Sequence, residues 1–434
     1  MANVSSSNSQ GERVPKLRFP GFEGEPYQQE TVGTLFEHAS RRNADGGISN
    51  VITNSAEHGL IPQRDFFDKD IAVEGNTNNY YIIKKGDFVY NPRKSTTAPY
   101  GPFNCYRRDD EGIVSPLYTC LTPVHGECTE YLLWYFKSPA WHSYIYHNGA
   151  QGGARHDRVG MTNDLMDGIP VNLPCLKEQE KICAFLSALD KRIDAQHKLV
   201  ESLKSYKRGA LLSFFPQEGE SQPQYRLAGF LAPWKQCKMC DVFDFLQNNT
   251  LSRADLSPEP GDARNVHYGD VLIKFGEFTD VSETALPYIH SQQIVNKFKR
   301  SLLRNGDVIM ADTAEDEAVG KCTEIAGLKD YPVVSGLHTI PLRPKEKFAP
   351  GYLGFFMNSR TYHDQLFPLM QGIKVTSISK SAIRNTDVFF PSDMNEQASI
   401  GRYFIRLSQL INLHERKYDV LLSMKHALLQ QMLI

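Results

Sequence analysis

Two long segments of the chain carry apolar residues at alternating steps of four and three. The first ladder starts at Ile182 and the second at Ile400. A period of 3.5 residues is typical of helices that pair along an apolar seam, as in a coiled coil. The ladders occupy positions 182, 186, 189, 193, 196, 200, 203, 207 and 210, and positions 400, 404, 407, 411, 414, 418, 421, 425 and 428. The pattern predicts two long helices, 176–215 and 393–434.

The ends of both helices are marked by residues that interrupt or cap helices. Pro174 and Pro391 precede the two starts, and Pro216 follows the first helix. Asp393 and Glu396 have the spacing of a capping box. A helix of about 36 residues spans roughly 54 Å, which is too long for one small domain to cover. We therefore expect the helices to bury their seams against each other in antiparallel fashion. The predicted seam residues are Ile182, Leu186, Leu189, Ile193, Leu203, Ile400, Phe404, Leu407, Ile411 and Leu421.

The two helices belong to a duplication that covers most of the chain. A shift of 218 positions places Glu178 and Gln179 on Glu396 and Gln397. With slips of two or three residues, "YLLWYFKSPAWHSYIY" lies on "YLGFFMNSRTYHDQLF", "KKGDFVYN" on "RNGDVIMA", and "GIVSPLYT" on "PVVSGLHT". The opening "RFPGFEGEPYQQ" resembles "RLAGFLAPWKQ". Several collinear matches indicate two copies of one plan.

Each copy has a globular part before its long helix. Short runs rich in β-branched or aromatic residues, bounded by Gly, Pro or Asp, predict strands at "DFVYN", "IVSPLYTCL", "DVLIKF", "DVIMA" and "VVSGLHTIPL". Gly-Asp before an apolar run indicates a tight turn, and the aromatic stripes from Tyr131 and Tyr352 indicate helices packed in the core. The predicted fold class is α+β: two similar globular domains separated by an antiparallel coiled coil, as a pseudo-two-fold internal repeat. The expected segments are a disordered tail 1–12, a domain 13–175, a helix 176–215, a linker 216–224, a domain 225–392 and a helix 393–434.

Composition narrows the class without pointing to a ligand. The chain has 434 residues, 41% of them hydrophobic and 23% charged, and a net charge of −2. It lacks an apolar run long enough to span a membrane, and the polar N-terminus does not resemble a signal peptide. Eight scattered cysteines favour free thiols in a reducing cytoplasm. Two separated, dissimilar modules on a rigid spacer suit DNA, whose half-sites lie about 34–36 Å apart for one helical turn.

The chain resembles the specificity subunits of type I restriction-modification systems. The resemblance is carried by "VPKLRFPGF", "GDFVYN" and "NGDVIM", and by the helix starts "LPCLKEQEKICAFLSALDKRI" and "FFPSDMNEQASIGRYFIRLSQLI". It also extends to the helix ends "LVESLKSYKRGALLSFF" and "YDVLLSMKHALLQQMLI". The second copy departs from the pattern, with Ser408 where the first has Asp190 and Tyr403 where the first has Phe185.

The resemblance implies a non-catalytic DNA reader. Each globular part would be a target recognition domain for one half of a bipartite, asymmetric DNA sequence, and the helices would fix the spacing of the halves. The helices would also dock two modification subunits, which bring S-adenosylmethionine and methylate adenine. Restriction subunits would add translocation and cleavage with ATP and Mg²⁺. On this reading the chain itself holds no cofactor and no metal.

Two aligned loops carry the side-chain types that read bases and bind phosphates. The first, 148–158, holds Gln151, Arg155, His156 and Arg158, and the second, 369–384, holds Gln371, Lys374, Thr376, Lys380 and Arg384. Both follow the aromatic helix and share Gln-Gly. We expect them to contact DNA; the competing interpretation is that they are solvated connectors. Arg93 and Lys94, in "NPRKSTTAPYG", are further candidates, although the aligned segment "ADTAEDEAVGK" is acidic.

The sequence lacks the motifs expected of a chain that catalyses a reaction by itself. "NPRK" at position 91 lacks the aromatic residue of an adenine methyltransferase motif, and a Walker A loop is missing. Cys237 and Cys240 form a CxxC without a second pair at zinc spacing. Two other classes stay open at this stage. One is an enzyme, a self-contained methyltransferase or nuclease, with a site assembled from scattered residues. The other is a coiled-coil scaffold without DNA specificity.

Overall fold

The computed structural model describes residues 14–65, 77–124, 128–149, 157–315, 318–329, 331–372 and 374–434. The chain divides into two compact units, Met1–Gln196 with Lys417–Ile434, and His197–Arg416. Each unit therefore contains one globular part and half of each long helix. The predicted segment boundaries, with the two helices as separate spacers, stay a prediction. Among the described residues, no helix is long and apolar enough to cross a membrane.

The first unit is built on a four-stranded antiparallel sheet with strand order β2-β9-β6-β7. Smaller antiparallel pairs β1-β10, β3-β4 and β5-β8 surround it. Its strands are β1 (Gln28–Thr31), β2 (Phe36–His38), β3 (Ile52–Ser55), β4 (Gly59–Pro62), β5 (Tyr81–Ile83), β6 (Phe88–Tyr90), β7 (Phe103–Cys105), β8 (Gly112–Val114), β9 (Thr119–Pro123) and β10 (Pro170–Leu173). Its helices are α1 (Val32–Leu35), α2 (Thr129–Lys137), α3 (His142–Asn148), α4 (Asn163–Asp167) and the first half of α5 (Leu176–Phe214).

The second unit repeats this plan around a five-stranded sheet of order β12-β20-β16-β18-β14, with sheets β15-β13-β19, β11-β22 and β17-β21 beside it. Its strands are β11 (Trp234–Lys238), β12 (Phe243–Phe245), β13 (Ala263–Val266), β14 (Phe278–Asp280), β15 (Tyr288–Ile289), β16 (Val308–Ala311), β17 (Thr313–Ala314), β18 (Cys322–Ala326), β19 (Val333–Ser335), β20 (Thr339–Pro344), β21 (Thr376–Ser377) and β22 (Asp387–Pro391). Its helices are α6 (Met239–Val242), α7 (Tyr268–Ile273), α8 (Gln292–Lys297), α9 (Tyr352–Met357), α10 (Arg360–His363), α11 (Lys380–Ile383) and the first half of α12 (Met394–Met432).

The duplication is visible in strand pairing. In the first sheet Phe88 of β6 lies opposite Leu121 of β9, and in the second Val308 of β16 lies opposite Leu342 of β20. Both strands follow a turn that uses a glycine with positive φ, Gly86 at 95° and Gly306 at 91°. A left-handed residue is strained for any side chain with a Cβ, which explains why the turn is written Gly-Asp in both copies. The Gly-Asp pairs are turns, as predicted.

The long helices pack antiparallel within each unit. In the first unit Ile182 and Leu186 share a core with Leu429 and Met432, while Leu189 and Ile193 pack against Leu421. The partner numbers fall as those of α5 rise. In the second unit Lys204 Nζ lies 2.9 Å from Glu415, and Phe214, further along α5, stacks on Tyr403 with ring centroids 5.1 Å apart. The predicted duplicated α+β fold with antiparallel long helices is confirmed.

The seam positions are mostly buried. Ile182, Leu186, Leu189, Ile193, Ile400, Phe404, Leu407, Ile411 and Leu421 are buried, whereas Leu203 is half-buried. Lys425, at a seam position, places Nζ 2.5 Å from Asp190 Oδ1 and 5.2 Å from the ring centre of Trp134. A long lysine stem can cover an apolar surface while its ammonium group remains paired, so this polar residue is compatible with the seam.

The repeated Glu-Gln pair at the helix starts anchors the opening segment of each copy. Glu178 is fully buried and accepts hydrogen bonds from Arg18 Nε at 2.9 Å and Nη2 at 2.8 Å. Gln179 Nε2 donates to Pro174 O at 2.9 Å. The hydrogen bond to Glu178 raises the pKa of the Arg18 guanidinium. The Pro, Glu and Gln of the motif therefore form one buried polar joint with the "RFPGF" segment.

The second copy builds the same joint, which corrects the predicted capping box. Glu396 accepts from Arg226 Nε and Nη2, each at 2.7 Å, and Gln397 Nε2 donates to Pro391 O at 2.9 Å. Glu396 does not reach back to cap the helix, because its carboxylate compensates a guanidinium instead. Asp393 does cap the start, with Oδ1 accepting from the backbone N–H of Asn395 at 2.8 Å.

One predicted strand is wrong. The run "DVLIKF" forms helix α7 (Tyr268–Ile273) and not a strand. The side chain of His267 accepts from the backbone N–H of Gly269 at 3.2 Å and caps this helix. Asp270 in the first turn is held by Arg253 through bonds of 2.6 and 2.8 Å. A six-residue apolar run has no distinguishing period, so capping and tertiary contacts decide its structure.

Two helix glycines provide a matched pair for testing the packing of the second unit. A Cβ added at Gly401 of α12 would stand 2.3 Å from the carbonyl oxygen of Pro350, whereas one added at Gly209 of α5 would meet nothing within 4 Å. We expect Gly401→Ala to lower the free energy of unfolding by about 1–3 kcal/mol through overpacking. Gly209→Ala should raise it by about 0.5–1 kcal/mol. Urea unfolding of the full chain measures both, and equal effects would contradict the close approach at Gly401.

Candidate DNA interface

In the first unit, two of the predicted segments lie side by side. Arg93 and Arg158 form an isolated antiparallel bridge. The backbone N–H of Lys94 donates to Asp157 O at 2.8 Å, and that of Val159 donates to Pro92 O at 2.9 Å. Arg93 and Lys94 are exposed, and Arg158 is half-buried. We call residues 92–94 with 157–159 the first loop edge; it brings three cationic residues onto one strip of backbone.

The second unit pairs the corresponding segments. Strand β17 (Thr313–Ala314) pairs with β21 (Thr376–Ser377), so that Thr313 lies opposite Ser377. The backbone N–H of Ile378 donates to Asp312 O at 2.8 Å. Gln371 and Ser377 exchange backbone hydrogen bonds of 2.8 and 2.9 Å. We call residues 312–314 with 376–378 the second loop edge.

The two loop edges occupy the same place in the duplicated plan. A shift of 220 positions carries Arg93 to Thr313, and each edge joins the segment after the Gly-Asp strand to the loop that follows the aromatic helix. Their chemistry differs, because the first edge carries Arg93, Lys94 and Arg158 and the second carries Asp312, Thr313 and Ser377. One backbone frame therefore presents two different sets of donors and acceptors.

The structure locates only part of the predicted site. Gln151, Arg155 and His156 lie outside the described residues. Gln371 and Lys374 are exposed, and Thr376 is half-buried within β21. The structure thus brings Arg93, Lys94 and Arg158 together in one unit, and Gln371 and Thr376 together in the other. The role of these residues in binding stays a prediction.

Two of the predicted residues brace the second loop. Lys380 Nζ donates to Leu246 O at 3.0 Å and to Asn248 Oδ1 at 3.2 Å. Burial lowers the pKa of Lys380. The guanidinium of Arg384 lies 5.4 Å from the ring centre of Phe245. Both side chains attach the loop to the end of β12, which positions the edge beside them.

Sequence reasoning missed the turn that abuts the second edge. Residues 336–338 connect β19 to β20, and the backbone N–H of Asp312 donates to His338 O at 3.1 Å. Asp312 and Thr313 lie in the acidic segment "ADTAEDEAVGK", whose composition does not predict DNA binding. A signal was available in the alignment of "PVVSGLHT" with "GIVSPLYT", which places His338 on Tyr118.

The described residues offer no metal centre. Among them, no group of three or more His, Cys, Asp or Glu side chains is arranged to hold a metal ion. A cleft of about 770 Å³ in the second unit is lined by Lys204, Lys207 and Arg208, but Glu277 lies 2.7 Å from Lys207 and Glu415 lies 2.9 Å from Lys204. These lysines are paired with carboxylates, which makes the cleft a poor candidate for a phosphate.

Fold and loop edges together define a class: a duplicated protein whose two α+β domains are carried on an antiparallel helix pair. Residues 37–205 match the family model of the type I restriction modification DNA specificity domain. This match makes residues 37–205 similar to the DNA specificity domain of type I restriction-modification systems. No protein of curated function matches the sequence closely enough to serve as a relative.

Two solved structures share the fold over nearly the whole chain. One comes from a study of complex assembly and conformational transition of the type I restriction-modification system, with 16% identity, 94% of this chain and 97% of that chain covered, and a TM-score of 0.57. The other is the S subunit of a type I restriction-modification system from M. genitalium, with 12% identity, coverage of 97% and 99%, and a TM-score of 0.51. At these identities the likeness establishes the fold.

Proposed function

We propose that the two loop edges read the two halves of one bipartite, asymmetric DNA sequence. The recognition domains would be 13–175 and 225–392. The observation that carries this proposal is the repeated pairing of the same two segments with unlike side chains. Identical edges would suit a palindrome, whereas a cationic edge and an edge rich in hydroxyls and a carboxylate suit two different half-sites. Arg pairs with guanine in the major groove, while carboxylates accept from cytosine.

The long helices would fix the spacing between the half-sites and dock two modification subunits. Their seams are buried in each unit, and apolar residues such as Leu413 and Val420 are exposed, which supports a protein partner along α12. The modification subunits would supply S-adenosylmethionine for adenine methylation, and restriction subunits would supply ATP- and Mg²⁺-dependent translocation and cleavage in the cytoplasm. This chain would contribute sequence recognition only.

Methylome sequencing of cells that carry the complete system is the direct test. We expect one bipartite adenine motif with two unlike halves and a constant spacer. DNA methylation or cleavage by the purified chain alone would instead favour a self-contained enzyme. If the chain joins the complex but variants of it leave the methylated motif unchanged, a scaffold role would be favoured. Neither alternative has a supporting observation among the residues that the structure describes.

Lys374→Ala tests the second loop directly. If Lys374 reads a base, specific binding of the complex should weaken by about 1–3 kcal/mol with relaxed preference at one position. If it contacts a phosphate, all sequences should weaken equally, and the slope of log K against log salt should fall by about 1. Fluorescence anisotropy with cognate and scrambled duplexes separates these outcomes. The control is Lys347→Ala, which removes an exposed lysine outside both the loop 369–384 and the second loop edge. Unchanged affinity and preference would remove Lys374 from the interface.

A further inference from the structure

The turn between β19 and β20 holds a residue in an unfavourable backbone conformation. His338 has a φ of 54°, and it is the only non-glycine with positive φ among the described residues. Glycine adopts this left-handed region easily, whereas residues with a Cβ do so uncommonly, with Asn, Asp and His the most frequent among them. Strain of this kind persists where the surrounding structure enforces it, and such positions cluster at functional sites.

Hydrogen bonds attach this turn to the second loop edge. The carbonyl oxygen of His338 accepts from the backbone N–H of Asp312 at 3.1 Å, and Asp312 O accepts from the backbone N–H of Ile378 at 2.8 Å. The three segments therefore form one continuous backbone ladder. A side chain at position 338 is consequently presented beside Thr313 and Ser377, which belong to the edge proposed to read DNA.

The polar contacts of the imidazole ring involve one nitrogen, Nδ1. Nδ1 lies 3.3 Å from Asp312 Oδ1 and 3.3 Å from Thr313 Oγ1, and the Thr313 hydroxyl donates to Asp312 Oδ1 at 2.8 Å. Since the hydroxyl proton is directed at the carboxylate, both atoms facing Nδ1 are acceptors. This arrangement favours the proton on Nδ1 and leaves the other ring nitrogen, Nε2, as an acceptor.

Packing does not account for the strained conformation. The side chain of His338 is 46% exposed, and the ring meets Tyr268 edge-on with centroids 5.3 Å apart. The aligned residue of the first copy, Tyr118, does not have positive φ, so the duplicated fold does not require the conformation. A glycine would close the same turn without strain. What the histidine adds is an oriented ring nitrogen at the surface.

We propose that His338 is a specificity-determining residue of the second half-site. Its Nε2 would accept a hydrogen bond from the exocyclic amino group of an adenine or a cytosine in the major groove, while Asp312 and Thr313 hold the ring in its tautomer. Both amino groups are donors in that groove, and guanine and thymine present acceptors there. This inference rests on the proposed reading of DNA by the second loop edge.

The test is His338→Gly in the complete system, with the recognition motif read by methylome sequencing. Glycine keeps the left-handed turn and removes only the side chain. We expect discrimination at one base pair of the second half-site to fall by about ten-fold, with the first half-site unchanged. The thermal midpoint of the purified chain should change little, because relief of the left-handed conformation offsets the conformational entropy that glycine adds to the unfolded chain.

Two further variants complete the design. His338→Asn also tolerates the left-handed region and keeps an acceptor in its amide oxygen, so its motif should retain more preference at that base pair than the glycine variant does. His290→Ala removes another exposed histidine of the second unit and should leave both half-sites unchanged. An unaltered motif in His338→Gly, or an Asn variant that relaxes the motif as much as the glycine variant does, would overturn the role of His338 as an acceptor. A wild-type system without any bipartite motif would instead overturn the proposed function itself.

Discussion

Glu178→Ala should lower the free energy of unfolding by about 3–5 kcal/mol, the loss typical of breaking a buried ion pair from one side. Glu178 is fully buried, and the Arg18 side chain that it holds is 6% exposed. Without the carboxylate, the guanidinium keeps its charge in a site with little access to water. The opening segment 14–27 should detach from α5, since Arg18 is its polar anchor.

Denaturant unfolding of the full chain measures this loss, and two controls show its origin. In Arg18→Met with Glu178→Leu, the charge and its partner disappear together, so most of the stability should return. Lys85→Ala breaks an ion pair with Asp109 in which the side chains are 63% and 89% exposed, and it should cost under about 1 kcal/mol. A loss at Glu178→Ala no larger than that of Lys85→Ala would show that the joint contributes little.

The buried joints explain why the Glu-Gln motif occurs twice, which sequence alone did not reveal. Glu178 aligns with Glu396, and the opening "RFPGF" aligns with "RLAGF", but the alignment does not connect the openings with the helix starts. Arg18 and Glu178 are 160 positions apart, and Arg226 and Glu396 are 170 apart. Hydrophobic periodicity reports on local structure, whereas a long-range ion pair leaves no periodic signal. A pair of charges recurring in both copies was the available clue.

The long helices and the principal strands could be predicted because their signals are repetitive or bounded. A ladder of nine positions, seven of them apolar, has a period that no strand can satisfy, and "DFVYN" and "DVIMA" are each introduced by a Gly-Asp turn. "DVLIKF" has no such ladder, and although Gly269 and Asp270 introduce it in the same way, Gly269 does not have the positive φ of Gly86 and Gly306. Its helix depends on the His267 cap and the Arg253–Asp270 ion pair, both of which require the folded neighbourhood.

The candidate loops could be selected from composition, but their arrangement could not. Arg93 and Arg158 lie 65 positions apart, and only the strand register of the first unit makes them neighbours. The second edge was harder to recognise because its side chains are hydroxyls and a carboxylate in place of cations. Composition could not identify His338, because the feature that marks this residue is a backbone dihedral angle. Residue type can suggest which loops bind, while the geometry of readout comes from packing.

If the paired helices set the half-site spacing, lengthening both by one heptad should lengthen the DNA spacer. The insertions would follow Gln196 in α5 and Arg416 in α12, each duplicating the seven residues before it so that the seam pattern continues. Seven helical residues add about 10.5 Å. At about 3.4 Å per base pair, the recognised spacer should grow by roughly 3 base pairs, with both half-site sequences unchanged. Methylome sequencing of cells with the variant system reads the spacer and the half-sites in one measurement.

Insertions at other positions test whether the length of the helices, and not chain length alone, sets the DNA spacer. Seven Gly and Ser residues after Gly219, an exposed glycine between α5 and β11, lengthen the chain without lengthening either helix, so the spacer should not change. A heptad in α5 alone displaces Lys204 and Phe214 by two turns from Glu415 and Tyr403, their partners on α12. That variant should bury less apolar surface between α5 and α12, because α12 is then seven residues shorter than the helix it must match. Its free energy of unfolding should therefore fall. A double-insertion variant that still selects the wild-type spacer would mean that something other than helix length measures the distance between the half-sites.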